Sequence, residues 1–170
     1  MIQVQVVVRM NFIEIIKDNY IQVSEIYKEG LETQIATFET KIPNWNTWNN
    51  KYHKFGRIAL VENEKVIAWA SLSSVSEREV YKGVAEVSVY VKASERGKGL
   101  GVKVLKELIN ISEQNNIWSL QASIFRENIA SLQIHKKCGF RIIGFKEKIA
   151  KLNGIWKDNF LLERRSTTVL

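Results

Sequence analysis

The sequence predicts an α/β fold in which a mixed, mostly antiparallel sheet is flanked by helices. Three patterns lead there. From Val84 to Val91, the aliphatic Val87, Val89 and Val91 alternate with Glu86, Ser88 and Tyr90, the period of two expected of a strand with one aliphatic face. Shortly after it, Leu100, Val104, Leu108 and Ile111 recur at helical spacing opposite Lys103, Lys106, Glu107 and Asn110, and Trp118 to Phe125 then returns as a strand. Two further pairs of β-rich runs meet at short polar turns, Glu62-Asn63-Glu64-Lys65 and Asn153-Gly154, as hairpins do. One strand–helix–strand crossover among hairpins gives a mixed sheet between helical layers.

In chain order, Phe12 to Ile16 reads as a short strand, and Asp18 as the N-cap of a helix that turns Ile21, Ile26 and Tyr27 to the core and ends at Gly30. A second helix is expected over Asn44 to Lys54, with Pro43 near its start and Trp45, Trp48 and Tyr52 sharing a face as core aromatics. The hairpin Arg57 to Val61 and Val66 to Leu72 follows, then the alternating strand, the amphipathic helix and the returning strand. A helix over Asn128 to Lys137 and a closing strand pair, Phe140 to Lys148 and Trp156 to Leu162, complete the order.

At 170 residues, 45% apolar and 25% charged, the chain suits a single domain over residues 1–170 rather than a disordered segment. Pro43 is the only proline, and no Gly/Ser-rich or single-sign stretch divides the sequence. The lone Cys138 excludes an internal disulfide, and no Cys/His cluster has the spacing of a zinc site, so we expect no metal and a cytoplasmic location. The apolar run Val6, Val7, Val8 is too short for a membrane helix. The net charge of +7 is spread among glutamates rather than gathered into a basic arm, which argues against nucleic acid or a membrane surface as partner.

Arg96-Gly97-Lys98-Gly99-Leu100-Gly101 falls between the alternating strand and the amphipathic helix. The first amides of a helix lack internal partners and carry partial positive charge, so an anion can satisfy both, and glycines let it approach the backbone. A Walker loop would need Lys after the second glycine with Ser or Thr behind it, and a dinucleotide fingerprint would need GxGxxG directly after a first parallel strand; neither fits. A tight turn with no ligand is the remaining alternative.

The segment Arg96 to Gly101 is similar to the R/Q-x-x-G-x-G/A signature of the GNAT superfamily of N-acetyltransferases. Asn128-Ile129-Ala130-Ser131 followed by Ile134 to Phe140 resembles that superfamily's second signature. Thr37-Phe38-Glu39, Arg78 with Tyr81, Glu86 to Val91, and Gly154-Ile155-Trp156-Lys157-Asp158 resemble its phosphinothricin acetyltransferase group, over about Phe12 to Arg164. The resemblance implies the GNAT acyl-CoA N-acyltransferase fold, acetyl-CoA as cosubstrate, a small amino-acid-like amine as acceptor and a homodimer. Two departures stand close to the glutamate: Val84 where many members carry Thr, and Gly83 in place of a bulkier residue.

Acetyl transfer to an amine needs the amine neutral, the carbonyl polarised and the leaving thiolate protonated. Glu86 is the candidate base, because a carboxylate within a β-branched strand is costly unless it meets water or a partner; the alternative is a solvated residue on the polar side of the sheet. His135 is the second catalytic candidate. Its spacing puts it on one helical face with Asn128 and Ser131, and imidazole titrates near neutrality; the alternative is a surface or capping histidine. The resemblance implies that the main chain of Val89, Tyr90 and Val91 pairs with the cofactor's amide arm, that Arg96, Gly97, Lys98, Gly99, Leu100 and Gly101 hold its pyrophosphate, and that Asn128 and Ser131 face it. It also implies acceptor binding by Phe38, Arg78 and Tyr81, although an arginine before a strand is commonly plain surface. His53 is read as structural and Cys138 as inert. Acetylation of another amine, or acyl-CoA binding without catalysis, are the competing functions.

Overall fold

The computed structural model describes residues 9–170; the apolar run Val6 to Val8 lies outside them. Strands β1 (Met10–Glu14), β2 (Arg57–Glu62), β3 (Lys65–Ser74), β4 (Val84–Val91), β5 (Ser119–Phe125), β6 (Arg141–Leu152) and β7 (Ile155–Arg165) form one sheet in the order β1-β2-β3-β4-β5-β7-β6. Helices α1 (Tyr20–Glu32), α2 (Trp45–Lys51), α3 (Leu100–Gln114) and α4 (Ile129–Lys137) flank it. All neighbouring strands are antiparallel except β4 and β5, the pair joined by the α3 crossover.

Alternation along the strands sorts the core into two layers. Val87, Leu120, Ala122, Ile124 and Leu162 pack under Leu100, Val104, Leu105 and Leu108 of α3 and Leu132 of α4. On the opposite face, Ala59, Val61, Val66 and Trp69 meet Tyr20, Val23, Ile26 and Tyr27 of α1 and Trp48 of α2. The aromatics there form a continuous cluster: Trp48 lies within 6.0 Å, centroid to centroid, of Tyr20, Trp45, Tyr52 and Trp69.

Local chemistry explains where the element boundaries depart from expectation. Asp18 does not cap α1; it sits in a 3-10 turn, Lys17–Asn19. Asn19 clamps the entering chain, its Oδ1 accepting from the Ile16 amide at 2.9 Å and its Nδ2 donating to the Glu14 carbonyl at 2.8 Å. Ile21 is 64% exposed, because the buried face of α1 runs through Tyr20, Val23, Tyr27 and Gly30, about 100° to 180° around the helix from it. Gly30 does not end the helix, which continues to Glu32; a Cβ there would stand 2.6 Å from the Tyr90 ring, so the glycine serves packing. The second helix is shorter than expected. Asn44 caps it by accepting from the Thr47 amide at 2.9 Å, and after Lys51 the chain turns extended at Tyr52 so that the His53 amide can donate to the Leu72 carbonyl. The β2–β3 turn is tighter than the four residues expected, with Asn63 and Glu64 both at positive φ, the backbone of a two-residue type I′ turn. The last two strands are longer than expected and project as a hairpin closed by Asn153 and Gly154, both at positive φ.

Candidate active site

The parallel pair holds the central feature. β4 and β5 pair only through Val84–Ser119, Ala85–Leu120 and Glu86–Gln121, although β4 continues to Val91 and β5 to Phe125. Beyond Glu86 the two strands diverge and leave a fork. The Lys92 amide donates to the Ile67 carbonyl on β3, so by alternation Tyr90, Ser88 and Glu86 turn their main chain to β3. Val87 spends its amide on the last rung of the parallel pair, donating to the Gln121 carbonyl, so Val89 and Val91 direct their main chain into the fork, a short edge open to an extended ligand.

The Gly-rich turn stands at the mouth of this fork. Gly97 and Gly99 have φ of +80° and +77°, and a Cβ built on either would meet nothing within 4 Å, so both open onto free space at the N-terminus of α3. Gly99 occupies the cap position, leaving the first-turn amides of a 15-residue helix pointing outward. Leu100 is buried beneath them. Arg96 reaches back, its Nε donating to the Val91 carbonyl at 3.4 Å, and Lys98 pairs with Glu95 at 2.7 Å on the surface. Gly101 differs from the other two glycines. A Cβ there would lie 2.6 Å from Ile134 Cδ1, so it allows α4 to approach α3.

Glu86 lies at the point where the strands part, on the sheet face that carries α1 and α2. Burial raises its pKa above the ordinary carboxylate range, and the ammonium groups of Lys51 and Lys146 partly oppose the shift. Beside it on the same face, Ser88 Oγ is 3.4 Å from the hydroxyl of Tyr52, whose own pKa is raised by burial. Helices cover this face only over β1–β4. Over β5–β7 no helix covers it, and polar Gln121, Ser123 and the buried Asn159 share Glu86's side of the sheet with Phe125 and Leu161.

His135 occupies the other face, buried at 4% exposure against the edge of Phe140. Its Nδ1 lies 2.8 Å from the Ser131 carbonyl, which can only accept, so Nδ1 carries the proton and Nε2 keeps its lone pair. Burial lowers its pKa, so the neutral ring predominates near pH 7, while the Ser131 carbonyl partly opposes the shift. Asn128 caps α4, Oδ1 accepting from the Ser131 amide and Nδ2 donating to the Ile35 carbonyl, each at 3.2 Å; both ends of its side chain have protein partners. Ser131 Oγ stands 3.4 Å from His135 Nδ1.

The expected residues are thus not all brought together. Val89, Val91 and the turn from Arg96 to Leu100 converge on the fork. Glu86 and His135 stand on opposite sides of the sheet and do not form a hydrogen-bonded pair. Phe38 packs edge-on against Phe125 at 4.5 Å, at the far end of β5, whereas Arg78 and Tyr81 stack on one another in the exposed β3–β4 connection. Tyr90 is turned away from the fork, its ring stacked on Trp69 at 4.7 Å. The sequence reading missed Tyr52, Ser88, Lys51 and Lys146 around Glu86. Ser88, two residues along the same strand face, was the only one with a local signal.

The family described as "Acetyltransferase (GNAT) domain" matches residues 10–161. The chain belongs to this GNAT family. Among curated relatives, YwnH of Bacillus subtilis is 38% identical over 107 residues, covering 63% of this chain and 66% of YwnH, just under two thirds. The L-methionine sulfoximine/L-methionine sulfone acetyltransferase of Pseudomonas aeruginosa is 32% identical over 139 residues, covering 78% of this chain and 81% of that enzyme. The crystal structure of a GNAT phosphinothricin acetyltransferase from Sinorhizobium meliloti in complex with AcCoA superimposes with a TM-score of 0.81 at 23% identity, covering 92% of this chain and 88% of that one, a likeness of fold. Among the described residues of this GNAT domain, no helix is long and apolar enough to cross a membrane.

Proposed function

We propose that this GNAT domain transfers the acetyl group of acetyl-CoA to the amine of a small amino-acid-like acceptor, by direct attack without an acyl-enzyme. The observation that carries the proposal is the fork beyond Glu86: an unpaired main-chain edge ends at an open glycine turn on one side and at a raised-pKa carboxylate on the other. Bound acetyl-CoA would supply the acyl group as a thioester.

The chain's own residues divide the work. Main-chain groups of Val89 and Val91 hold the amide arm, and a fork amide donates to the thioester oxygen. Amides of the Gly97 to Gly101 turn, with Arg96 and Lys98, hold the pyrophosphate. Asn128 positions α4, and Ser131 and His135 line its inner face. Glu86 accepts the ammonium proton, directly or through a water; its raised pKa makes it a better base than a free carboxylate. His135 takes up a proton at Nε2 and returns it to the leaving sulfur. Phe38, Arg78 and Tyr81 contribute to the acceptor side. The acceptor names of the Pseudomonas and Sinorhizobium proteins support an amino acid such as methionine sulfoximine or phosphinothricin. We place the enzyme in the cytoplasm as a homodimer, the location on its single cysteine and the assembly on resemblance to the group.

Incubation with acetyl-CoA and a panel of amines, followed by thiol release, tests the proposal. Turnover with an amino acid is the expected result. Cofactor binding without turnover on any amine would favour a non-catalytic acyl-CoA-binding domain, and turnover confined to protein N-termini, lysines or polyamines would redirect the acceptor.

A further inference from the structure

The open half of the acceptor-side face has a floor whose polar groups are only partly satisfied. Register places Lys146 of β6 opposite Asn159 of β7, and Asn159 opposite Phe125 of β5, so the three share one face in a row across the sheet. The row ends at the Phe38 ring, 4.5 Å from Phe125. Immediately after Lys146 the β6–β7 ladder breaks, resuming at Ala150, with Lys148 at φ +46° and its amide donating to Asp158 Oδ1 at 2.8 Å. A bulge of this kind fixes the aim of the side chain before it.

Two features of the row point to a ligand. Asn159 is buried, with Nδ2 donating to Ser123 Oγ at 2.9 Å, yet its Oδ1 has no partner among the described residues. Buried amide oxygens are normally paired, with water or ligand where protein is lacking. Lys146 has neither a hydrogen bond nor an ion pair among the described residues, whereas Lys51, the other cation facing Glu86, is 3.4 Å from Glu39 Oε1. A cation left free beside a general base is suited to the second charged group of a zwitterion.

Resting on the acetyltransferase reading above, we infer that Lys146 binds the carboxylate of an amino-acid acceptor and so directs the amine to Glu86, while the unpaired Asn159 Oδ1 accepts from a donor of the same ligand or from water rather than from the carboxylate. Lys146 is then a specificity-determining residue, selecting amines that carry a carboxylate over the same amines without one.

The test compares an accepted amino acid with its own carboxamide, in wild type, Lys146→Met and Lys146→Arg. For Lys146→Met the expected result is a KM for the acid raised about 10-fold or more, with far smaller changes in the KM for the carboxamide and in the acetyl-CoA dissociation constant and any change in kcat common to both substrates; Lys146→Arg recovers most of the loss. Calorimetric titration of the acid into enzyme saturated with coenzyme A should show the same weakening without turnover. Equal effects on acid and carboxamide, or none on either, would overturn the assignment. A wild type that does not distinguish acid from carboxamide would overturn it while leaving the acetyltransferase reading intact. A wild type that acetylates no amino acid would remove both.

Discussion

One face of one sheet is built in two ways. Over β1–β4 it is sealed by α1 and α2, with Trp48 and Trp69 fully buried in a cluster of tilted and stacked rings. Over β5–β7 the same face is bare of helices, and polar Gln121, Ser123, Asn159 and Lys146 stand on it among Phe125 and Leu161. The sealed half sets the position of β4, and the bare half leaves room for an acceptor. Glu86 lies on the seam, buried enough for its pKa to rise and open enough to meet a substrate.

The largest contrast is expected between the buried tryptophan of the sealed half and, as a control, the exposed one near the tip of the last hairpin. Trp48→Ala should cost about 3–5 kcal/mol of unfolding free energy, whereas Trp156→Ala, at a site 52% exposed on the projecting hairpin, should stay within about 0.5 kcal/mol; urea denaturation compares them. Similar losses would mean that the aromatic cluster is not what closes the first half.

The seam itself can be stressed at Gly83. Its carbonyl accepts from the Trp118 and Ser119 amides, and the Trp118 ring lies over it so closely that a Cβ would stand 2.0 Å from the ring. This explains why a bulkier residue is absent here. Gly83→Ala should destabilise by about 1–3 kcal/mol through overpacking and disturb the β4–β5 start, lowering activity as well; a wild-type Tm would contradict it. A smaller effect is expected at Gly99, where Ala must adopt φ +77° at a strain of roughly 1–2 kcal/mol. Because the added methyl would project into the space beside the first-turn amides, Gly99→Ala should weaken acetyl-CoA binding about 10-fold in calorimetry, more than it changes the KM for the acceptor.

How far the sequence disclosed this arrangement depended on the range of each interaction. Period-two and helical repeats are local, and they located the four helices and seven strands, most to within a few residues. The glycine turn was legible because αL backbone and a helix start leave marks in adjacent residues. Glu86 stood out as a charge among valines. The fork did not, because it follows from where β5 stops pairing with β4 and no residue in either strand announces that. The packing role of Gly101, which lets α4 approach α3 through Ile134, was not legible either, its partner lying 33 residues further along the chain. Lys146 was hidden for the same reason, since only the β6–β7–β5 register brings it onto the acceptor face. Tyr90 was grouped with the cofactor strand through its neighbours, although alternation turns it to the aromatic side.

In the proposed reaction the carboxylate at the seam is the base. Its raised pKa gives the claim a sign: burial disfavours the charged form, so wild-type kcat/KM should fall as pH drops through a value above the ordinary carboxylate range. The same shift costs folding stability above the unfolded-state carboxylate pKa, so Glu86→Gln should be at least as stable as wild type at pH 7. The most direct measurement is the pH profile of turnover for wild type and Glu86→Gln, alongside calorimetric acetyl-CoA affinity. Turnover of Glu86→Gln should be lowered about 10²–10⁴-fold, with the acidic limb gone and cofactor affinity retained. A Glu86→Gln enzyme that turns over at the wild-type rate with its acidic limb intact would contradict the role of Glu86 as base.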